Sequence, residues 1–219
     1  HIDKTVIGCI GAGNFAKSML IPYLAKNNNT ILKGIATSTG ISAKDTAKKF
    51  GFEYATSSAN EIINDKSIDT IVIATRHNLH SNFVIKGLKN KKNVFVEKPL
   101  AVNENELNEI IDVYEKMQTK GKSPFLMVGY NRRFAPLSIK LKEFFLNRKS
   151  PLLMHYRINA GIIPKTNWYQ DSLEGGGRII GEICHFIDYM VFLTGALPKK
   201  IFATSIQSNN ENIPSRDKI

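Results

Sequence analysis

The sequence has only two cysteines and no long apolar run. Cys9 and Cys184 show no spacing typical of a metal site or a disulfide framework, so we interpret both as buried thiols and predict no metal site. The longest uncharged apolar stretches, residues 70–75 and 190–193, are far shorter than the roughly 20 residues that a membrane helix needs. The first residues also lack a secretory pattern. We therefore predict no membrane association and a cytoplasmic location.

Acidic residues are also few, with 19 Asp and Glu against 30 Lys and Arg, and the net charge is +11. Such a charge is compatible with nucleic-acid binding, with an acidic partner, or with solubility alone. The lysines occur as scattered pairs, such as Lys48-Lys49 and Lys91-Lys92, rather than as one stripe interleaved with aromatic residues. This distribution favours solubility and predicts no nucleic-acid partner. The positive field would still favour a cofactor or substrate that carries phosphate.

Short β-rich apolar runs alternate with longer amphipathic stretches through the first half of the chain. This alternation is typical of βαβ units and of a parallel sheet that is covered on both faces. It predicts an α/β domain with a doubly wound parallel sheet over residues 1–129. The six predicted strands are residues 5–10, 31–36, 53–55, 70–74, 93–96 and 125–128.

After Gly129 the pattern changes to helices predicted over residues 137–145 and 178–193, with strands over 152–159 and 201–206. These elements predict a second, α+β domain over residues 130–219 with a mainly antiparallel sheet. A sheet of one or two strands leaves its edges unpaired and buries little. We therefore expect the second domain to be truncated and the natural protein to continue past Ile219.

A glycine motif, Gly11-Ala12-Gly13-Asn14-Phe15-Ala16, follows the first predicted strand and opens a helix. Its first glycine permits a tight turn, its second lets a pyrophosphate approach the backbone, and the final alanine lets the helix pack on the strand. The N–H groups of the helix N-terminus would face the phosphates. The motif predicts a Rossmann dinucleotide site, and methyltransferases, which use related turns, are the main competing class. The predicted cofactor contacts are Gly11, Gly13, Asn14 and Phe15.

The end of the second strand bears on the choice of cofactor. An NAD site usually places Asp or Glu there, about 20 residues beyond the glycines. Residues 35–39 instead read Ile-Ala-Thr-Ser-Thr, without a carboxylate that would repel a 2′-phosphate. The hydroxyls of Thr37 and Ser38 could donate to such a phosphate, and Lys44 could supply charge. The sequence therefore favours NADP over NAD and leaves open a turn that accepts either.

Polar residues follow the fourth and fifth predicted strands. In an open parallel sheet, ligands bind beyond the carboxyl ends of the strands, so both segments should meet at the cofactor. A lysine there can hydrogen-bond a substrate hydroxyl, although Glu97 and Lys98 could also simply cap the sheet. The predicted cofactor contacts at these two strand ends are Thr75, Arg76, His77, His80, Glu97 and Lys98.

Five segments occur in order between residues 5 and 206, namely GAGNFA, ATRHNLH, VEKPL, GYNRRF and GGGRIIGEICHFIDYM. Together they resemble the Gfo/Idh/MocA family of oxidoreductases, and the Glu-Lys-Pro segment is the most specific of them. The details most resemble the oxidoreductase module of bi-domain proteins, in which it follows a zinc-alcohol-dehydrogenase-like region. The resemblance implies an NAD(P)-dependent enzyme, a homo-oligomer when full-length, that transfers hydride between nicotinamide and a secondary alcohol of a sugar, cyclitol or nucleotide sugar.

The same resemblance implies catalytic roles for two residues. Lys98 would orient the substrate hydroxyl, and His185 would serve as acid or base. Family members generally place Asp four residues before this histidine, whereas this chain has Gly181 there. Glu182 and Asp188 lie three residues before and after His185, which leaves a carboxylate partner open, with Glu182 as the catalytic candidate.

The remaining candidates concern the substrate. The resemblance implies that Arg133 lies at the domain junction, where it could pair with a substrate carboxylate or with the protein itself. Trp168 and Tyr169 could lie against the C–H face of a sugar ring, and core packing is an equal alternative for the tryptophan. The predicted substrate contacts are Lys98, Arg133, Trp168, Tyr169 and His185.

Two functions from different classes stay open. The first is the NAD(P)-dependent dehydrogenase of a sugar or polyol. The second is a catalytically inactive protein of the same fold that senses a dinucleotide in regulation or assembly, and Gly181 favours it because a missing carboxylate need not impair binding. A methyltransferase is disfavoured by the Glu-Lys-Pro segment.

Overall fold

The computed structural model of the chain describes residues 4–118, 123–164 and 166–204. The chain divides into two compact units, His1–Val128 and Gly129–Ile219. The first unit contains a parallel sheet with helices. The second is helical and irregular in its described part.

The sheet of the first unit has six strands, and every neighbouring pair is parallel. Their order is β3-β2-β1-β4-β5-β6, which reverses direction between β1 and β4. This is the strand order of the Rossmann fold, and the point of reversal is where such folds bind dinucleotides. The predicted doubly wound sheet is therefore confirmed. The strands are β1 (Thr5–Ile10), β2 (Thr30–Ala36), β3 (Tyr54–Thr56), β4 (Thr70–Ile73), β5 (Asn93–Val96) and β6 (Leu126–Val128).

Helices connect the strands where the amphipathic stretches predicted them. The first begins irregularly, as a π-helical turn over Ala16–Leu20, because Pro22 has no N–H to donate and its ring crowds the carbonyl group four residues earlier. The helices of this unit are α1 (Ile21–Lys26), α2 (Gly40–Phe50), α3 (Ala59–Asn64), α4 (His80–Lys89) and α5 (Glu104–Gln118).

Both faces of the sheet are buried, which explains why its strands are apolar throughout. Along β1 and β4, alternate residues enter opposite cores: Ile7, Cys9 and Val72 belong to one, whereas Ile71 and Ile73 belong to the other. The Cys9 side chain is enclosed, and burial raises the pKa of its thiol to about 12. The prediction of a buried thiol is thus right for this cysteine.

The second unit contains α6 (Pro136–Phe145) and α7 (Cys184–Thr194), as predicted, and α7 is preceded by a π-helical turn over Ile179–Ile183. The strand predicted over residues 152–159 is wrong. These residues form no ladder because no described segment pairs with them, and Leu153 is 96% exposed. Residues 201–204 form no strand either, and the rest of that prediction lies outside the described residues. Cys184 is only partly buried, which corrects its interpretation as a buried thiol.

The backbone conformation of Gly11 and its close neighbours predict that any side chain there destabilises the fold. Its φ is 94°, and a Cβ built there would lie 2.9 Å from the Thr75 backbone nitrogen. Gly11→Ala should lower the free energy of unfolding by about 3 kcal/mol, because the strained residue would also push two backbones apart. Urea unfolding would measure this. Gly13→Ala is the matched control, since a Cβ there meets nothing within 4 Å. Equal losses in both variants would contradict the prediction.

Candidate dinucleotide and substrate sites

The carboxyl ends of the central strands lie at one level, which determines where their loops emerge. Three backbone hydrogen bonds extend the ladders by one residue: Gly11 N–H donates to Ala36 O at 2.8 Å, Ala74 N–H to Ile10 O at 2.8 Å, and Glu97 N–H to Ile73 O at 2.9 Å. The glycine turn and the loops after β2, β4 and β5 therefore begin side by side at one edge of the sheet.

The glycine turn fits a pyrophosphate. Gly11 packs against the backbone that follows β4, and Ala16 is buried at 2% exposure, where only a small side chain packs. Gly13 faces open space, and Asn14 and Phe15 are exposed beside it. The backbone at the start of the helix is thus accessible to an anion, as a dinucleotide site requires. Gly13, Asn14 and Phe15 remain predicted contacts.

A positive charge that the sequence analysis missed lies beside the loop after β2. Lys17, which directly follows the glycine motif, donates from Nζ to the hydroxyl oxygen of Ser42 in the first turn of α2, at 3.5 Å. Ser38 is exposed in the same loop, and the Thr37 hydroxyl donates to the Thr39 carbonyl oxygen at 2.7 Å. The sequence could have suggested this charge, because Lys17 lies on the helix that the glycine motif opens. Lys44 is exposed further along α2.

The loops after β4 and β5 bring a carboxylate and an ammonium group to the same edge. Glu97 and Lys98 are both half-buried, whereas Arg76 is exposed and Thr75 is partly covered. Burial raises the pKa of Glu97, and the positive charge of Lys98 opposes that shift. The structure thus brings these four predicted residues to the edge where the glycine turn emerges.

Two histidines of the β4 loop are buried rather than exposed to a ligand. His80 has no exposed surface, and its Nδ1 lies 2.7 Å from the Pro99 carbonyl oxygen while Nε2 lies 3.2 Å from the Thr75 carbonyl oxygen. The ring therefore joins the β4 loop to the loop that carries Lys98. His77 is 6% exposed, with its ring centroid 5.8 Å from that of His80. Both rings are enclosed at the sheet edge, and cofactor contacts for His77 and His80 stay predictions.

In the second unit, the carboxylates on either side of His185 are ion-paired. Arg178 Nε donates to Glu182 Oε2 at 3.1 Å, and the guanidinium of Arg133 binds both carboxylate oxygens of Asp188. Arg133 therefore pairs with the protein itself, and its contact with a substrate carboxylate stays a prediction. The catalytic role of Glu182 stays a prediction, and its carboxylate is paired with Arg178.

Two tyrosines approach the helix that carries His185. The Tyr130 ring meets the His185 ring edge-on, with 6.2 Å between centroids, and burial raises the pKa of Tyr130 to about 12. Tyr169 packs against Gly181, and the Trp168 ring meets the Tyr169 ring edge-on at 5.3 Å. Sequence reasoning missed Tyr130 and placed Tyr169 only against substrate. Sugar contacts for Trp168 and Tyr169 remain predictions.

Across residues 4–118, 123–164 and 166–204, no cluster of three or more histidine, cysteine or acidic side chains could hold a metal ion. Within the same ranges, no helix is both long and apolar enough to cross a membrane.

Comparison with known proteins identifies the family. Residues 5–130, more than half of the chain, match the model of the Gfo/Idh/MocA family, described as an oxidoreductase family with an NAD-binding Rossmann fold. The chain belongs to this family, and the resemblance to it is confirmed.

Individual relatives are distant. A myo-inositol 2-dehydrogenase of Thermotoga maritima is 28% identical over 199 residues, covering 90% of this chain and 57% of the relative. A levoglucosan dehydrogenase in complex with NADH and levoglucosan aligns with a TM-score of 0.70 at 25% identity, over 87% of this chain and 54% of that one.

A third similar structure is KijD10, a 3-ketoreductase of Actinomadura kijaniata in complex with NADP and TDP-benzene. Its TM-score is 0.71 at 18% identity, over 88% of this chain and 58% of that one, which shows a shared fold. The chain spans about half the length of the curated relatives that it matches, for example 57% and 51% of two dehydrogenases.

The burial of His80 predicts that the stability of the fold depends on pH. Burial lowers its pKa from the ordinary 6.5, so the neutral ring is favoured in the folded state. The unfolded chain then binds more protons near that pH, and stability that is present above about pH 6.5 is lost as the pH falls. Urea unfolding between about pH 8 and about pH 5.5 should show this loss, with a shallower slope in His80→Asn. His155→Asn, at an exposed histidine, is the control. Identical slopes for wild type and His80→Asn would refute the prediction.

Proposed function

We propose that the full-length protein is an NAD(P)-dependent dehydrogenase of a sugar, cyclitol or nucleotide sugar, active as a cytoplasmic homo-oligomer. The best support is that the carboxyl ends of the central strands lie side by side. The glycine turn and Lys98 therefore emerge at the same edge of the sheet. Membership in an oxidoreductase family supports the reaction class. The similarity to inositol and levoglucosan dehydrogenases supports a polyhydroxylated substrate.

Residues of the candidate site have distinct tasks in this proposal. The exposed turn at Gly13 and Asn14 binds the pyrophosphate through backbone amides, and Thr75 and Glu97 line the adjoining crevice. The bound nicotinamide supplies the hydride chemistry. Lys98 hydrogen-bonds the substrate hydroxyl oxygen and polarises it, and His185 accepts or returns the hydroxyl proton.

The proposal includes a preference for NADP. The loop after β2 has hydroxyl groups on Thr37 and Ser38 and no carboxylate, so nothing there repels a 2′-phosphate. Lys17 adds a positive charge at the adjoining first turn of α2. Charge-assisted hydrogen bonds from an ammonium group to phosphate are stronger than neutral ones, which favours the phosphorylated dinucleotide.

A second candidate function keeps the dinucleotide site without turnover, as a sensing or assembly protein. It is favoured by Gly181, which stands where family members generally carry an aspartate, because a missing carboxylate need not impair dinucleotide binding. Dinucleotide binding without oxidation of any alcohol would support this candidate over the dehydrogenase.

Lys98→Met tests the dehydrogenase in the full-length protein. It should lower kcat by at least about a hundredfold, because the substrate hydroxyl loses its polarising partner, while the Kd for dinucleotide changes little. Reduction of NADP and NAD would be followed by absorbance against sugars and cyclitols, and binding by calorimetry. The control is Lys89→Met, at an exposed lysine in the last turn of α4. Full turnover in the Lys98 variant would refute this role.

Lys17→Gln tests the cofactor preference. The Kd for NADPH should rise about tenfold, because one charge-assisted hydrogen bond to the 2′-phosphate is lost, while the Kd for NADH stays the same. Calorimetric titration with each dinucleotide would measure the two values. Lys26→Gln, at an exposed lysine ending α1, is the control. An equal change for both dinucleotides would count against a 2′-phosphate contact.

A further inference from the structure

Lys98 lies just beyond the end of its strand. The Glu97 N–H extends the ladder between β4 and β5 by one bond, to the Ile73 carbonyl oxygen at 2.9 Å. Lys98 follows outside the strand, and Pro99 has no N–H with which to continue the ladder. The place of the Lys98 ammonium group therefore depends on what holds the backbone after the strand.

The carbonyl group of Pro99 contacts an enclosed histidine ring. His80 Nδ1 lies 2.7 Å from the Pro99 carbonyl oxygen. His80 has no exposed surface, and Pro99 is buried. Water does not compete for a hydrogen bond that is enclosed in this way, and the low dielectric strengthens it. The contact therefore constrains the backbone one residue after Lys98.

The helix that carries His80 packs on the sheet. His80 is the first residue of α4, which contacts both β4 and β5. The approach is close, since a Cβ built on Gly87 would lie 3.0 Å from Cγ2 of Val94 and closer still to Ile71. The imidazole is thus held by a helix that packs on the two strands whose loops it joins.

The second ring nitrogen contacts the loop after β4. His80 Nε2 lies 3.2 Å from the Thr75 carbonyl oxygen. The backbone of Thr75 also supports the glycine turn, because a Cβ built on Gly11 would lie 2.9 Å from the Thr75 nitrogen. One ring therefore links the backbone beside Lys98 to the segment on which the glycine turn packs. This link helps to set the distance between the proposed pyrophosphate site and Lys98.

The two contacts of the ring assign its proton. Burial lowers the pKa of His80, hydrogen bonds with backbone carbonyl groups oppose this shift, and the charge of Lys98 reinforces it. The backbone of Glu97 also faces the ring, and the His77 ring lies 5.8 Å away between centroids. A neutral imidazole donates from one nitrogen only. The shorter contact belongs to Nδ1, so the neutral ring donates to the Pro99 carbonyl group.

We propose that His80 is a positioning residue for Lys98. Its Nδ1–H holds the Pro99 carbonyl group and so fixes the backbone from which the Lys98 ammonium group reaches the substrate hydroxyl. The inference rests on the proposed function, in which Lys98 polarises that hydroxyl. A misplacement of about 1 Å can cost about a hundredfold in rate, even when it originates away from the reacting atoms. In this role, His80 acts without touching the substrate.

Two amide variants of the full-length protein test this role, because each keeps one of the two donors. The amide nitrogen of His80→Asn lies near the place of Nδ1, whereas that of His80→Gln reaches the place of Nε2. His80→Asn should therefore retain about ten times the kcat of His80→Gln, with the same Kd for NADPH in both. Steady-state kinetics and calorimetry would measure these values. An equal or higher kcat in His80→Gln would overturn the proposal.

Removal of the ammonium group separates positioning from general damage to the fold. In a Lys98→Met background, His80→Asn and His80→Gln should show the same residual kcat, because the group that His80 positions is gone. A difference between the two that persists without Lys98 would show that His80 acts on the fold alone, and would overturn the proposal.

NMR of the nitrogen-labelled full-length protein gives a readout that needs no turnover. At about pH 8, above the ordinary pKa of histidine, the His80 proton should reside on Nδ1. Hydrogen exchange of the Lys98 amide should be faster in His80→Gln than in His80→Asn, while the Ile35 amide in β2 exchanges equally in both. A proton on Nε2, or equal exchange at Lys98, would overturn the proposal.

The same spectra separate this inference from the proposed function. If the wild-type protein oxidises no alcohol, the dehydrogenase function fails. The site of the His80 proton and the exchange of the Lys98 amide then still decide whether His80 holds the backbone at Lys98.

Discussion

The contact between the backbone at Gly11 and the backbone that follows β4 is the constraint on which the dinucleotide site depends. Because Gly11 has no side chain and a positive φ, the chain turns directly over Ala74 and Thr75 and starts its helix at the switch point of the sheet. The aligned strand ends then bring Lys98 to the same edge. His80 strengthens this arrangement by joining the β4 loop to the β5 loop with one enclosed ring.

The second unit has ion pairs on both sides of His185. Glu182 is paired with Arg178, and Asp188 is paired with Arg133, so each of the two flanking carboxylates has a guanidinium partner. Close packing depends on two glycines here, because a Cβ at Gly181 would collide with Tyr169 and one at Gly175 would collide with the backbone of Trp168 and Tyr169.

The sequence predicted the first unit well because each strand is buried on both faces and each helix is amphipathic, so local patterns agree with the fold. The strand predicted over residues 152–159 was wrong because pairing depends on a partner segment, which apolar alternation does not reveal. His80 was assigned to the cofactor because it follows β4 at the carboxyl edge of the sheet, and the sequence pattern did not show that its ring is enclosed there. Tyr169 could not be linked to Gly181 from sequence, since 12 positions separate them and only packing brings them together.

Titration of the isotopically labelled full-length protein with NADPH, followed through backbone amide chemical shifts, tests the central claim most directly. A dinucleotide bound at the switch point should perturb the amides of Gly13 and Asn14 most strongly, together with those of Ser38, Thr75 and Lys98. Saturable binding that leaves the glycine turn unperturbed, with the shifts concentrated elsewhere, would contradict the account.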